Sequence, residues 1–307
     1  MNDKQSANSI SVEELNSLIN MDQSPLLLDT LPQMRYQQKH LPGARHACVF
    51  EVNFLDQVAE LTQDKDQEIF VYGANEQTHD AITAVAKLMR DGYTQVSVLT
   101  GGLAAWEEAG YLLEGNLVDI AEPAAAHLAD GTYQVDTDAS MIEWAGRNPN
   151  STHLGTLRLS SGEIEVKSEQ IKGTFVIDMN SIENVNLAGN ELQPVLEDHL
   201  KSDDFFFVKK FPHAVFKLNA TPTAKSQPVS SPNYQVSGEL KLCGFRAEQN
   251  FPATIVTTDD GRIAAEAHFD FDRTRWGVIY GSTNFFEHLG MHLVFDQISL
   301  QLRIRTK

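Results

Sequence analysis

The hydrophobic period of this 307-residue chain changes once, near Gly131. Up to residue 112, short apolar runs alternate with stretches in which apolar residues recur every three to four positions. That pattern belongs to a parallel sheet with strands buried on both faces and covered by helices. From Gly131 onward apolar and polar residues alternate one by one over long runs, the period of antiparallel strands with one buried face. No single layered core satisfies both periods, and 307 residues exceeds what one core usually organises. The chain therefore reads as two domains, residues 1–112 (α/β) and 131–307 (all-β). The linker, residues 113–130, is LEGNLVDIAEPAAAHLAD, an Ala-rich stretch containing Pro123 with room for a short helix.

In the first domain strands are expected at 26–29, 44–47, 69–72 and 96–99, and helices near 12–20, 51–61, 79–91 and 102–109. In the second, residues 154–179 read as long strands with turns at 160–162 and near 169–173. Residues 233–245, 261–277 and 297–305 also alternate apolar and polar. One segment breaks the pattern: Leu192, Leu196 and Leu200 form a helical stripe within residues 190–206. Long strands in an antiparallel meander with one helical insert suggest a closed barrel of about eight strands.

Charge narrows the partners. The formal net charge is −18. Residues 1–115 carry 7 Lys+Arg against 17 Asp+Glu, and residues 116–307 carry 17 against 25. Acidic character in both parts argues against nucleic acid and against an anionic membrane surface, which need clustered Lys/Arg. The first residues, MNDKQSANSISVEEL, lack the cationic and apolar regions of a secretory signal. No apolar run is long enough for a transmembrane helix. Cys48 and Cys243 lie in different domains, so an intramolecular disulfide is not expected. These features predict a cytoplasmic protein that does not insert in membranes; a homodimer is compatible with them.

Residues 68–93 read EIFVYGANEQTHDAITAVAKLMRDGY. A buried strand ends at Tyr72, a loop of Gly73, Ala74, Asn75, Glu76, Gln77 and Thr78 follows, and a helix begins near His79. Such a loop gathers backbone N–H groups and a helix N-terminus around one point, an anion site. With LLLDT (26–30), HLPGARH (40–46) and the C-terminal GG…AW…AGY pattern (Gly101, Gly102, Ala105, Trp106, 109–111), this layout resembles the rhodanese domain. In that family the loop opens with a nucleophilic Cys whose thiolate the same N–H groups stabilise. Gly73 stands there instead and has no side chain to carry a persulfide. Leu31 replaces the Arg usual two residues after Asp29, and Thr78 replaces the usual loop Arg. In longer-looped dual-specificity phosphatase relatives the Arg would fall one residue later, at His79. The resemblance implies a fold without the chemistry, serving partner docking or anion sensing. The enzymatic alternative is sulfur transfer through another thiol, for which Cys48 is the nearby candidate.

Four separated segments of the second domain, 144–166, 175–182, 199–218 and 271–282, resemble the YceI-like family in the same order. The last two read HLKSDDFFFVKKFPHAVFKL and FDRTRWGVIYGS. Phe207 and Lys210 depart from the pattern, as do Cys243 and Phe245 in a turn and HLGMH at 288–292. The resemblance implies a lipocalin-like barrel holding a polyisoprenoid, such as a quinone or prenyl-alcohol tail, in an elongated apolar cavity. No other cofactor is required. The bottom-up reading agrees on the chemistry. An eight-stranded barrel is just wide enough for one thin ligand, and each buried CH₂ contributes about 0.8 kcal/mol.

Thirteen of the sixteen Phe follow position 170. Candidate lining residues are Trp144, Phe175, Ile177, Phe205, Phe206, Phe211, Phe216, Phe269, Trp276, Tyr280, Phe285 and Phe286. Arg273 and Arg275 are candidate head-group contacts, and an Asp272–Arg273 ion pair is expected to close one barrel end. The alternative is an interaction module whose barrel these side chains fill. No metal site is expected: HExxH and CxxC are absent, and His288 and His292 lack a third ligand nearby.

Overall fold

The computed structural model describes residues 8–19, 25–116, 128–223, 230–258 and 260–307. The chain divides into two compact units, Met1–Glu122 and Pro123–Lys307. Most of the expected linker, with its short helix, lies outside the described residues.

The first unit alternates strand and helix: β1 (Asn8–Ile10), α1 (Val12–Ile19), β2 (Leu26–Asp29), α2 (Gln33–Gln38), β3 (Arg45–His46), α3 (Phe54–Leu61), β4 (Ile69–Tyr72), α4 (Asp80–Arg90), β5 (Val96–Leu99) and α5 (Gly102–Glu108). The strands form one sheet in the order β1-β5-β4-β2-β3, every pairing parallel. Side chains alternate across it. Leu28, Ile69 and Val71 face α3 and α4 residues such as Phe54, Val58, Ala84 and Leu88. Leu27, Phe70 and Tyr72 face Leu15, Leu41 and Trp106. Both faces are covered, which is why the strands read as continuous apolar runs. Helix α4 buries Ala81, Ala84, Val85 and Leu88, one stripe at helical spacing, with Asp80 in its first turn and Lys87 and Arg90 in its last.

The second unit is a barrel: β6 (Gly131–Gln134), β7 (Met141–Arg147), β8 (Thr152–Lys167), β9 (Gln170–Asn184), α6 (Leu192–Lys201), β10 (His213–Pro222), β11 (Tyr234–Leu242), β12 (Phe245–Thr257), β13 (Ile263–Asp272) and β14 (Gln297–Arg305). Every pairing is antiparallel, in the order β7-β14-β13-β12-β11-β10-β9-β8, and β8 pairs back onto β7. Eight strands thus close the ring. Strand β6 occupies the rest of the β8 edge, beyond the part that β7 covers.

One expected turn is not a turn. Residues 160–162, Ser-Ser-Gly, lie inside β8, where the register with β9 slips between Leu159 and Ser161. Leu159 points inward before the slip, and Gly162, Ile164 and Val166 after it, so the extra residue flips the parity without ending the strand. The reversal falls at Ser168 and Glu169, at the start of the other expected turn, both with positive φ (49° and 62°), as a two-residue hairpin turn requires. The β11–β12 hairpin uses the same device at Cys243 (52°) and Gly244 (82°).

Candidate ligand-binding cavity

The loop between β4 and α4 is closed by its own side chains. Ala74 N–H donates to Asp80 Oδ2 (3.0 Å), Asn75 N–H to Thr78 Oγ1 (3.3 Å), and Gln77 N–H to Asn75 Oδ1 (2.9 Å). From the far side, Leu103 N–H reaches Gly73 O and Ala104 N–H reaches Ala74 O, both at 3.0 Å. This seats the start of α5 on the loop. A Cβ placed on Gly73 would lie 2.8 Å from both Cβ and Oδ2 of Asp80. The volume a side chain would need at position 73 is therefore already taken by Asp80.

Neither thiol is exposed for attack. Cys48 is 4% exposed. Burial pushes the Cys243 thiol up to about 12, and its Sγ–H donates to Phe206 O at 3.3 Å. Asp29 is fully buried, and among the described residues no Lys or Arg pairs with it. Its Oδ1 accepts from Leu31 N–H (2.8 Å), while Oδ2 has no partner in good geometry. Burial raises its pKa; the Tyr72 hydroxyl, the Leu31 N–H, His46 and His40 offset part of that rise.

The barrel encloses an elongated cavity in two joined chambers. The inner chamber has a volume of about 130 Å³ and is lined almost wholly by apolar side chains. The outer chamber has a volume of about 300 Å³. Ile142, Ile177, Leu240, Phe271 and Leu300 line both and form the waist between them. In the inner chamber the Phe251 and Phe269 rings stack at 4.0 Å and 6°, and Phe216 follows at 5.9 Å. Gln249 and Glu266 reach the inner lining but turn no polar surface to it; polar groups face the cavity only further out. The outer lining includes Arg147, Asn148, His153, His199, Tyr280 and His292 beside Trp144, Phe205 and Phe206. His199 meets Phe205 and Tyr280 edge-on at 5.0 and 4.9 Å, joining α6 to the segment after β13.

The structure sorts the predicted lining residues. Phe175, Ile177, Phe216 and Phe269 line the inner chamber, and Trp144, Ile177, Phe205, Phe206 and Tyr280 the outer one. Four others are elsewhere. Trp276, fully buried, packs edge-on against Phe271 at 5.5 Å and donates Nε1–H to Leu240 O, so it is core. Phe211 packs against Phe207, and Phe285 and Phe286 are 53% and 44% exposed. Ile142, Phe251, Phe271 and the histidines were missed; inward parity along β7, β12 and β13 is the signal that finds the first three.

The two arginines also part company. Arg275 is exposed and donates Nη2–H to Glu248 O. Arg273 is 1% exposed and borders the outer chamber, but four of its five N–H donors are used: Nε to Phe295 O (3.1 Å), Nη1 to Val278 O (2.6 Å), and Nη2 to Val294 O (3.0 Å) and Asp296 Oδ1 (3.5 Å). Its ion-pair partner is thus Asp296 rather than the expected Asp272, which instead caps the following turn through Thr274. Arg273 pins residues 278–296 across the barrel end. Among the described residues no cluster of three His, Cys, Asp or Glu is arranged to hold a metal, and no helix is long and apolar enough to cross a membrane.

A model of the YceI-like domain matches residues 133–306, more than half of the chain. The chain belongs to the YceI-like family. It also carries a rhodanese-like domain, matched over residues 11–109. Among solved structures, the YceI-like barrel is similar to BcnA of Burkholderia cenocepacia (17% identity, 56% of this chain and 99% of that one, TM-score 0.44). It is also similar to a polyisoprenoid-binding domain of Saccharophagus degradans (13%, 57% and 97%, TM-score 0.39). The first unit is similar to a rhodanese-like domain of an Anabaena protein (29%, 38% and 86%, TM-score 0.32). No curated protein matches the chain.

Proposed function

We propose that the YceI-like barrel sequesters and carries a polyisoprenoid or quinone-type amphiphile, and that the rhodanese-like domain is a non-catalytic docking module. The observation that carries the first part is the continuous apolar cavity with its polar groups confined to the outer chamber. An amphiphile fits that gradient in one direction, with its tail in the inner chamber and its head among His153, His199, Tyr280 and His292. A 150 Å³ apolar cavity admits a benzene-sized, six-carbon molecule. By that measure the inner chamber takes about one five-carbon isoprene unit, and the outer chamber about two, or one unit and a ring. The ligand class itself is the one that the resemblance to YceI-like proteins implies.

For the first domain, the Gly73 loop supports docking over both catalysis and anion sensing. It offers no nucleophile, and the N–H groups of Ala74, Asn75 and Gln77 are engaged by Asp80, Thr78 and Asn75. The buried Cys48 and the high-pKa Cys243 lend no support to sulfur transfer by another thiol.

The test is native mass spectrometry of the purified protein with organic extraction of whatever it holds. A mass increment released as a quinone or prenyl lipid is the expected result. A clean apo mass, unchanged after incubation with quinones of several tail lengths, would sink the carrier reading in favour of a filled barrel that serves as an interaction module.

A further inference from the structure

The outer chamber is bordered by two elements, α6 and residues 278–296, and both continue outward into exposed apolar side chains. On α6, Leu196 lines the chamber while Leu192 and Val195 are 61% and 62% exposed. In the 278–296 segment, Met291 and Phe295 line the chamber and yet are 88% and 46% exposed, so the chamber edge runs through them. Phe285 and Phe286 belong to the same segment and are also exposed, and Asn284 beside them donates Nδ2–H to Asp296 Oδ2 (2.7 Å), next to Phe295. The Phe285 and Phe286 backbone N–H groups both donate to Ser282 O, so the turn that presents them is ordered. Single exposed apolar residues need no explanation, but a group of them continuous with a cavity mouth marks an interaction site.

Charge selects the kind of surface that meets this rim. Residues 278–296 contain no Lys or Arg and carry Glu287 and Asp296, while α6 carries Glu197 and Asp198 against the single Lys201. A rim of this composition carries more acidic than basic groups, with Lys201 its one Lys or Arg, so it is disfavoured at anionic lipid and at acidic partners. Phe and Met side chains with few cationic neighbours suit the interface of an electrically neutral bilayer, whose hydrocarbon core is where a water-insoluble prenyl chain resides.

We infer that the apolar rim formed by α6 and residues 278–296 docks the barrel mouth on the surface of a zwitterionic lipid bilayer, so that the chain enters and leaves the cavity without crossing water. The inference rests on the carrier reading for its purpose but not for its test. Contact is peripheral: side chains reach into the headgroup region and no backbone element is inserted.

The experiment is co-flotation of the full-length protein with phosphatidylcholine vesicles, compared with vesicles that also contain phosphatidylglycerol, at low and high salt. The expected result is binding to pure phosphatidylcholine that high salt does not weaken, because apolar insertion is not screened. Added phosphatidylglycerol should reduce binding at low salt. Phe285→Glu with Phe286→Glu should lower the bound fraction about tenfold, since burying the exposed halves of the two side chains together is worth about that factor. Leu192→Glu on α6 should lower it in the same direction. None of these three residues lines the cavity, so loading with a quinone in detergent and the melting temperature should stay at the parent level. Failure of the parent to float, flotation only with anionic lipid, or unchanged flotation of folded variants would each overturn the inference. So would a dimer, seen by sedimentation, that the same substitutions dissolve. Flotation by protein whose extract holds no lipid and which takes up no quinone would leave the docking surface standing and refute the carrier reading instead.

Discussion

Replacing Arg273 with Met removes the guanidinium while keeping a side chain of similar length. The structure then strands three backbone carbonyls, those of Phe295, Val278 and Val294, and leaves the Asp296 carboxylate with its bond from Asn284 Nδ2–H but no cation. Leaving a partly buried acceptor unpaired costs about 1–3 kcal/mol, and breaking a buried ion pair from one side about 3–5 kcal/mol. Both routes converge on a loss of about 4 kcal/mol. Burial lowers the Arg273 pKa and Asp296 and Asp272 oppose that, but the guanidinium stays charged at ordinary pH, so the loss applies across the neutral range. For a domain of this size each kcal/mol corresponds to roughly 2–4 °C, so the barrel transition should fall by roughly 8–16 °C. Calorimetry on the full chain reads it. Hydrogen exchange should rise most in residues 278–296, which Arg273 holds. Arg273→Lys should recover less than half of the loss, because an ammonium cannot fork to three carbonyls. Arg275→Met, at an exposed site, is the control and should cost under about 1 kcal/mol. A loss below about 1 kcal/mol for Arg273→Met, with exchange in 278–296 unchanged, would refute the pinning argument.

Three further outcomes are expected. Asp29→Asn should make the rhodanese-like domain more stable at neutral and alkaline pH than the parent. Because burial raises the Asp29 pKa in the folded state, its relative stability is greatest below the ordinary carboxylate pKa of about 4 and is lost as pH rises through the folded value. Urea titrations at a series of pH values should show a weaker decline in the variant, and an identical decline would count against the assignment. Gly73→Cys with Thr78→Arg should stay inert when thiocyanate is assayed from thiosulfate and cyanide, because the new Cβ meets Asp80; turnover would mean that the loop reopens. Ala267→Phe should fill the inner chamber, whose lining includes Ala267, and remove room for about one isoprene unit. A loss of about 2–4 kcal/mol, or roughly 30- to 1000-fold in affinity for a long-tailed quinone, follows from burying five fewer carbons. Unchanged affinity would mean the tail never reaches that depth.

Where burial alone decides an element, the sequence was enough. Residues 26–29, 69–72 and 96–99 coincide with β2, β4 and β5, because a strand covered on both faces leaves a nearly uninterrupted apolar run, broken here only by Asp29 and Ser97. Strand β14 coincides with 297–305 because its alternation is unbroken. The misses have different causes. Strand β1 is the three residues Asn-Ser-Ile at a sheet edge, and α2 is QMRYQQ with only Gln38 buried, so neither carries a hydrophobic period. Ser160, Ser161 and Gly162 have turn composition, but β9 pairs on both sides of them, and tertiary pairing turned the local signal into a bulge.

Aromatic composition located the barrel half and not the individual lining residues. Inward parity explains why Phe251 on β12 and Phe271 on β13 reach the cavity. Phe285 and Phe286 lie in a segment whose path depends on Arg273, some ten residues away in sequence, and no local pattern carries that information.

The Gly73 loop shows why a missing nucleophile and a missing site are separate questions. Loss of a thiol by itself would leave a cradle of N–H groups that still attracts an anion. Here the cradle carries an anion of its own: Asp80 places Oδ2 on Ala74 N–H and its Cβ where a side chain at position 73 would lie. A carboxylate held on the same chain needs no binding entropy, so an external anion has to displace it at a disadvantage. Asp80 also sits in the first turn of α4, where the helix dipole stabilises it. The same carboxylate therefore sits as a negative group at the loop and accepts from Ala74 N–H there. On this reading Asp80→Ala, rather than restoration of the cysteine alone, is the change expected to reopen anion binding at the loop.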